Sequence, residues 1–305
     1  MLKTLEHPPE HVQANRLVEL RNILVATDFS LVSDRALDFA LSLARRYESR
    51  IVLAHVVSAG SDIILAPEMA AATHESGFSI AQEEMGQVLI SGKLRGVQHE
   101  TVIEQGPFWP VLESLIARYK ADLVMVGTHN VKGMEKFFLG SVAEQIFRRT
   151  KCPVLTVGPA VHSKTPPEVE FKNILFATDF GVGAEREAAF AFSLAQEHCA
   201  NLTMLHVVRH ADDYSEEGLA LKRDAIFREL AELVPPGSEF WCKPEFRMRL
   251  GEPVREIIEV AREMNADLVV MGAKKQFGLA AGHSLNTVAY RVVAAAPCPV
   301  LTVRS

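Results

Sequence analysis

Cysteine is scarce in this 305-residue chain: Cys152, Cys199, Cys242 and Cys298 stand far apart, with no C-x-x-C pair among them. That density excludes a disulfide scaffold of the secreted kind, and the four are expected to be buried, reduced thiols. Long hydrophobic runs are missing as well, since none approaches the ~20 apolar residues of a membrane span. The opening MLKTLEHPPEHVQANRLVEL also lacks the apolar core of a secretory signal. A cytoplasmic address without a membrane partner is the resulting expectation. Basic residues are in deficit, 32 Lys and Arg against 38 Asp and Glu for a net charge of -6, so no nucleic-acid footprint is expected. Catalytic signatures are absent too. There is no Walker loop, no G-x-S-x-G elbow, no H-E-x-x-H and no zinc-ligand spacing, so neither a metal centre nor a catalytic group is assigned.

What the chain does have is ordinary globular composition, 48% hydrophobic and 23% charged, and enough length for two domains. It also repeats itself. Arg21-Asn-Ile-Leu-Val-Ala-Thr-Asp-Phe29 returns 151 residues later as Lys172-Asn-Ile-Leu-Phe-Ala-Thr-Asp-Phe180. Ala121-Asp-Leu-Val-Met-Val-Gly127 returns as Ala266-Asp-Leu-Val-Val-Met-Gly272, and Cys152-Pro-Val-Leu-Thr-Val157 as Cys298-Pro-Val-Leu-Thr-Val303. Three ordered matches make a duplication. Between the copies, the prolines from Gly158 to Glu170 favour an extended linker. The expected organisation is an extension over 1–20, a nucleotide-binding domain over 21–158, a linker over 159–170 and a second domain over 171–305.

Within each copy, strand and helix patterns alternate. Ile23 to Ala26, Ile51 to Val57, Leu123 to Gly127 and Val154 to Val157 are short, continuous apolar runs, as in strands buried on both faces. Val97 to Glu104, ahead of Gly106-Pro107, supplies a fifth. Ala36, Leu37, Ala40, Leu41 and Ala44 make one helical face, and Val111, Leu112, Leu115, Ile116 and Tyr119 another. The result is an α/β chain with two repeated parallel sheets, helices on both faces and right-handed crossovers. Ligands of such sheets bind beyond the carboxyl ends of the strands, where strand order reverses.

The stretch after the fourth strand, Gly127-Thr-His-Asn130 through Gly140-Ser141-Val142-Ala-Glu144, carries a chemical mechanism. Gly127 lets the backbone leave a buried strand and approach a ligand, and Asn130 tolerates positive φ. Gly140-Ser141 opens a helix whose unpaired N–H groups suit an anion such as a triphosphate. Ser141-Val-Ala-Glu144 is equally a capping box, and the two roles are compatible. His55 and His206 hold equivalent strand positions and read as structural; His129 reads as an exposed loop histidine.

These features resemble the universal stress protein family: the ILVATDFS opening, the LAHVV strand, the G-x2-N-x9-G-S loop and the CPVLTV ending, together covering residues 21 to 305 twice. The resemblance implies a Rossmann-like, doubly wound five-stranded sheet of order 3-2-1-4-5 in each half. It implies that the halves pack as a pseudo-dimer through their last strands, with a homodimer of whole chains left open. ATP-binding members of that family carry a second glycine where this chain has Asn130. Carried over by position, Ala26, Asp28, Ile51, Val126 and Gly127 would line the adenosine site, with Asp28 alternatively capping the turn into Ser33-Asp34. Asn130, Gly140, Ser141 and Val142 would hold the phosphates of ATP, with Mg2+ on those phosphates.

In the second half, Asp179 and Gly272 persist, but Lys275 and Asn286 replace the second and third glycines of the loop, so a disrupted phosphate cradle is expected there. The leading expectation is a stress or regulatory module that signals nucleotide occupancy to a protein partner. A slow ATPase or nucleotidyl transferase is a rival, although Lys132 and Lys136 offer charge and no base. A ligand-free scaffold is another. The stretch Ser61 to Ser79 reads either as a lid or interaction surface, or as a loose connection.

Overall fold

The computed structural model describes residues 18–58, 67–128, 141–161, 170–209, 215–238, 242–273 and 287–304. The first half runs β1 (Asn22–Ala26), α1 (Leu31–Tyr47), β2 (Arg50–Val57), α2 (Pro67–Ile90), β3 (His99–Gln105), α3 (Phe108–Arg118), β4 (Leu123–Gly127), α4 (Ser141–Arg149) and β5 (Val154–Val157). The second runs β6 (Asn173–Ala177), α5 (Ala184–His198), β7 (Asn201–Val208), α6 (Glu216–Glu232), β8 (Glu245–Leu250), α7 (Pro253–Glu263), β9 (Leu268–Gly272), α8 (Val288–Ala295) and β10 (Val300–Val303). Both halves follow the alternation expected from the repeat. The third strand starts at His99 because Val97 instead closes the turn after α2, donating its N–H to the Leu94 carbonyl at 3.3 Å.

The strands form one sheet of order β3-β2-β1-β4-β5-β10-β9-β6-β7-β8. Each half is parallel in the expected order 3-2-1-4-5, and the halves merge through β5 and β10, which pair antiparallel. Leu155 sits opposite Leu301, its counterpart in the repeat, with Val154 opposite Thr302 and Thr156 opposite Val300. A pseudo-twofold axis therefore passes between the two leucines, perpendicular to the sheet. The carboxyl ends of the parallel strands consequently point to opposite ends of the ten-stranded sheet in the two halves.

Two apolar clusters fill the two faces. One gathers Ile23, Val25, Ile51, Leu53 and Met125 against α1, with Phe176, Phe192 and Leu301 from the second half. The other gathers Leu24, Ala26, Ala54, Val124 and Val126 against α3 and α4, with Met271 and Tyr290. Ile23, Leu24 and Val25 are all fully buried, which is why β1 shows no polar alternation. Leu20, placed by the sequence in the N-terminal extension, is 5% exposed and belongs to the first cluster. The stretch expected between Ser61 and Ser79 contains the start of α2, which begins at Pro67. No described helix is long and apolar enough to cross a membrane.

Polar contacts close the seam between halves. Arg46 on α1 donates to the carbonyl of Glu197, its own repeat counterpart on α5. On the opposite face Arg304, 7% exposed, donates to the carbonyls of Phe147 and Arg148 at the end of α4. A buried cation is tolerated there because those carbonyls are the negative end of the helix. Arg186 donates in turn to the Arg304 carbonyl at 2.8 Å.

Near the same seam, His198 accepts from the Phe171 N–H at 3.4 Å, while its buried Nε2 has no partner among the described residues. Burial, with a smaller push from Arg46, lowers its pKa from 6.5 to about 4. The unfolded chain therefore takes up a proton below pH 6.5 that the folded chain refuses until about pH 4, so stability falls across that window as pH drops. The loss expected is on the order of 3 kcal/mol. Replacing His198 by Tyr, the residue found at the equivalent Tyr47, flattens the urea-unfolding midpoint between pH 7 and 4 relative to the parent chain.

Candidate functional site

Strand order reverses at β1, which lies between β2 and β4, and again at β6, between β7 and β9. Three expected site residues meet at the first reversal. Ala26 ends β1 level with Val126 on β4 and Ala54 on β2, and Gly127 follows Val126. Asp28 lies just beyond, exposed, with Oδ1 accepting from the Ser30 N–H at 3.1 Å. It does not cap α1. That role belongs to Ser30, whose hydroxyl accepts from the Ser33 N–H. Ser141 and Val142 open α4, and Asn130 and Gly140 lie outside the described residues.

The turn carrying Asp28 is strained and buttressed. Phe29 has φ 61°, a conformation costly for a bulky side chain. Its N–H donates to Thr27 Oγ1 at 3.0 Å, and its ring stacks on His55 at 4.6 Å. His55 Nδ1 donates to the Thr27 carbonyl at 2.8 Å. The second half repeats this with Phe180 at φ 56°, Thr178 and His206, whose pKa burial lowers. Both histidines are thus structural, as their paired positions suggest.

Ile51 does not join the site. It stands level with Ile23, three residues before Ala54, so the two-residue pleat turns it to the opposite face of the sheet and into the cluster under α1. Ala54, level with Ala26, and Val56 two residues on lie on the other face of β2, and their counterparts Leu205 and Val207 line a cavity in the second half. Residue type alone gave no sign of which strand position faced the ligand side. Sequence reasoning also passed over Thr128, 2% exposed, whose hydroxyl finds no hydrogen-bond partner among the described residues.

The halves differ at the helix after the first strand. In the first, Thr27, Ser30 and Ser33 share a hydroxyl network that starts α1 at Leu31. In the second, Gly181 replaces Ser30 and Ala184 replaces Ser33, so no side chain caps the first turn. Gly183, at φ 98°, becomes the cap, and α5 begins two residues later in the repeat, at Ala184. The backbone of Val32 and Ser33 lies where a Cβ on Gly127 would be, 2.6 to 2.7 Å away. Gly127 is therefore required by helix packing, a reason additional to the close ligand approach expected of it. At Gly272 the nearest atoms in the same space are those of the Glu187 carboxylate.

The second half holds a cavity of about 600 Å³ at the carboxyl ends of β6, β7 and β9. Leu205, Val207, Ile257 and Met271 form apolar walls, and Thr178, Asp179, Glu187 and Thr287 bring polar groups. Thr287 caps α8, accepting from the Tyr290 N–H at 3.2 Å. The loop substitutions at Lys275 and Asn286 lie outside the described residues.

Burial pushes Cys152 and Cys298 up to about 12 and raises Cys242. Cys199 departs from the expected burial: it is exposed, at the left-handed residue that ends α5.

Gly127→Ala drives a methyl group into the backbone of α1 and should cost about 1–3 kcal/mol, read as a lowered urea midpoint. Gly272→Ala meets a side chain that can turn away, and its midpoint should fall by less.

Comparison with known proteins follows the same division. The model of the Universal stress protein family matches residues 19–158 and again 170–304. A universal stress protein of Thermus aquaticus is 37% identical over 139 residues, 44% of this chain and 99% of that protein. One from Mycobacterium tuberculosis is 24% identical over 300 residues, 92% of this chain and 96% of that protein, so it shares the tandem length. The crystal structure of a universal stress protein from Archaeoglobus fulgidus superposes with a TM-score of 0.70 at 20% identity, over 94% of this chain and 98% of that one, which bears on the fold. With two family matches that together span nearly the whole chain, the protein belongs to the universal stress protein family as a tandem member.

Proposed function

We propose that this chain is a nucleotide-responsive regulatory module whose first half, residues 21–158, binds ATP. Ala26, Val126 and Gly127 bound the adenosine end of the site, with Ala54 and Val56 in the role first given to Ile51. Asp28 accepts from a ribose hydroxyl or the adenine amine. Asn130, Gly140, Ser141 and Val142 hold the phosphates at the start of α4, and Mg2+ enters on those phosphates. The observation that carries this reading is the convergence of Asp28, Gly127 and the start of a nine-residue helix, α4, on the strand-order reversal. The buried Thr128 hydroxyl next to Gly127, without a hydrogen-bond partner among the described residues, is the kind of group a ligand would satisfy.

In this reading nucleotide occupancy sets the surface offered by residues 130–140 to a protein partner, and the chain works in the cytoplasm. Turnover is not part of this proposal.

Gly140→Asp places a negative charge and a side chain against the phosphates. ATP binding by calorimetry should fall by at least roughly tenfold, as for other like-charge juxtapositions, with the thermal unfolding midpoint unchanged. Unaltered ATP affinity in that variant would place the site elsewhere.

A further inference from the structure

The two ends of the seam between the halves are related by the pseudo-twofold axis, yet they differ in charge. At one end α4 finishes with Arg148 and Arg149, and Lys151 follows two residues on; the matching residues of the second half are Ala294, Ala295 and Pro297. Arg304, which follows β10, matches Gly158 after β5. Arg186 on α5 alone has a basic counterpart, Arg35 on α1. All five positions are therefore cationic at one end of the seam, and one is cationic at the other.

Contacts tie the five into a single patch. Arg304 donates to the carbonyls of Phe147 and Arg148, the latter at 2.7 Å, and Arg186 donates to the Arg304 carbonyl at 2.8 Å. The charge of Arg186 also reaches Cys152, the neighbour of Lys151. The Phe147 ring meets Tyr290 edge-on with centroids 6.0 Å apart, so the end of α4 rests on the second half. The patch thus draws its cations from both halves.

Arg148, Arg149, Lys151 and Arg186 are exposed, and Arg304 is buried beneath them. Their local contacts leave most of the charge in place. Arg148 pairs with Glu144 at 3.1 Å, an exposed pair one helical turn apart and weak for that reason. Arg149 lies over the Trp109 ring at 5.9 Å, while Arg186 and Arg304 donate to carbonyls, which orient a guanidinium without neutralising it. On a chain of net charge -6 this concentration runs against the composition. The surroundings restrict what can bind. Glu144 borders the patch on α4 and the exposed Glu185 stands beside Arg186 on α5, so a long polyanion such as a nucleic acid or an anionic membrane would carry its phosphates onto carboxylates. A short acidic segment can set its carboxylates on the cations alone.

We propose that this patch is a docking surface for an acidic segment of a partner protein, held by cations from both halves at once. The surface lies outside the nucleotide site and does not require ATP to be bound there.

The test measures fluorescence anisotropy of a labelled oligoglutamate peptide with the full-length chain. The peptide should bind at low salt and be released at about 1 M salt, where the screening length is about 3 Å. Arg149→Gln combined with Lys151→Gln should weaken binding by roughly threefold to tenfold, the reach of two exposed ion pairs, with the thermal midpoint confirming that the variant is folded. Lys222→Gln combined with Arg223→Gln on α6 makes the same change in net charge away from the patch and should leave the affinity unaltered. An equal loss in both variants, binding that persists at high salt, or no binding at all overturns the proposal. Tighter binding of polyuridylate or of phosphatidylserine vesicles than of the peptide gives the patch to another anion and overturns it as well.

Discussion

The antiparallel pairing of β5 with β10 is the constraint on which the rest of the molecule hangs. Each is a four-residue strand at the end of a parallel five-stranded sheet. Left alone, each would present a row of unpaired backbone donors and acceptors, an invitation to non-specific strand addition. Pairing them with Leu155 against Leu301 satisfies both edges and makes one core on each face continuous through the two halves. Because the halves share one chain, the pairing partner is always present at high effective concentration. The outer edges, β3 and β8, are managed by charge instead. Glu104 pairs with Arg118 on α3 at 2.6 Å, and Arg249 with Glu263 on α7.

That twofold arrangement separates the two candidate sites and lets them diverge. Selection on one half need not alter the geometry of the other, since their strand ends lie at opposite ends of the sheet. The divergence is local and follows the loss of two hydroxyls. Ser30 and Ser33 help start α1 at Leu31, with the α1 backbone beside Gly127, whereas Gly181 and Ala184 in their places leave α5 to start at Ala184, with the Glu187 carboxylate beside Gly272. Around this difference the two halves keep the same strained Phe turn, held by a stacked histidine in each. Its retention in both copies argues that the turn shapes the strand end whatever ligand is bound there.

Much of this was legible in the sequence. The repeat, the strand runs at Ile23, Leu123 and Val154 and the helical face at Leu112 and Leu115 all appear where periodicity placed them, because each is a local pattern of burial. Ile51 was misplaced because strand parity cannot be fixed when both faces are apolar: every residue from Ile51 to Ala54 is hydrophobic, and only the register with β1 shows which face each one takes. Cys199 was misread because its position at a left-handed helix end outweighs the usual preference of a thiol for the interior. The cavity in the second half was missed since attention fell on the substituted glycines of its loop, while its walls come from β6, β7, α7 and β9.

The sequence by itself determined the duplication, the α/β alternation and the location of a candidate anion-binding helix start, because these depend on residue spacing along the chain. The tertiary structure alone decided the strand that lies on the pseudo-twofold axis, the face of β2 that Ile51 takes, and the approach of Glu187 to Gly272. Those depend on the register of strands and the starting point of one helix, quantities fixed by pairing between separate elements and by a few capping hydroxyls, and no local pattern encodes them.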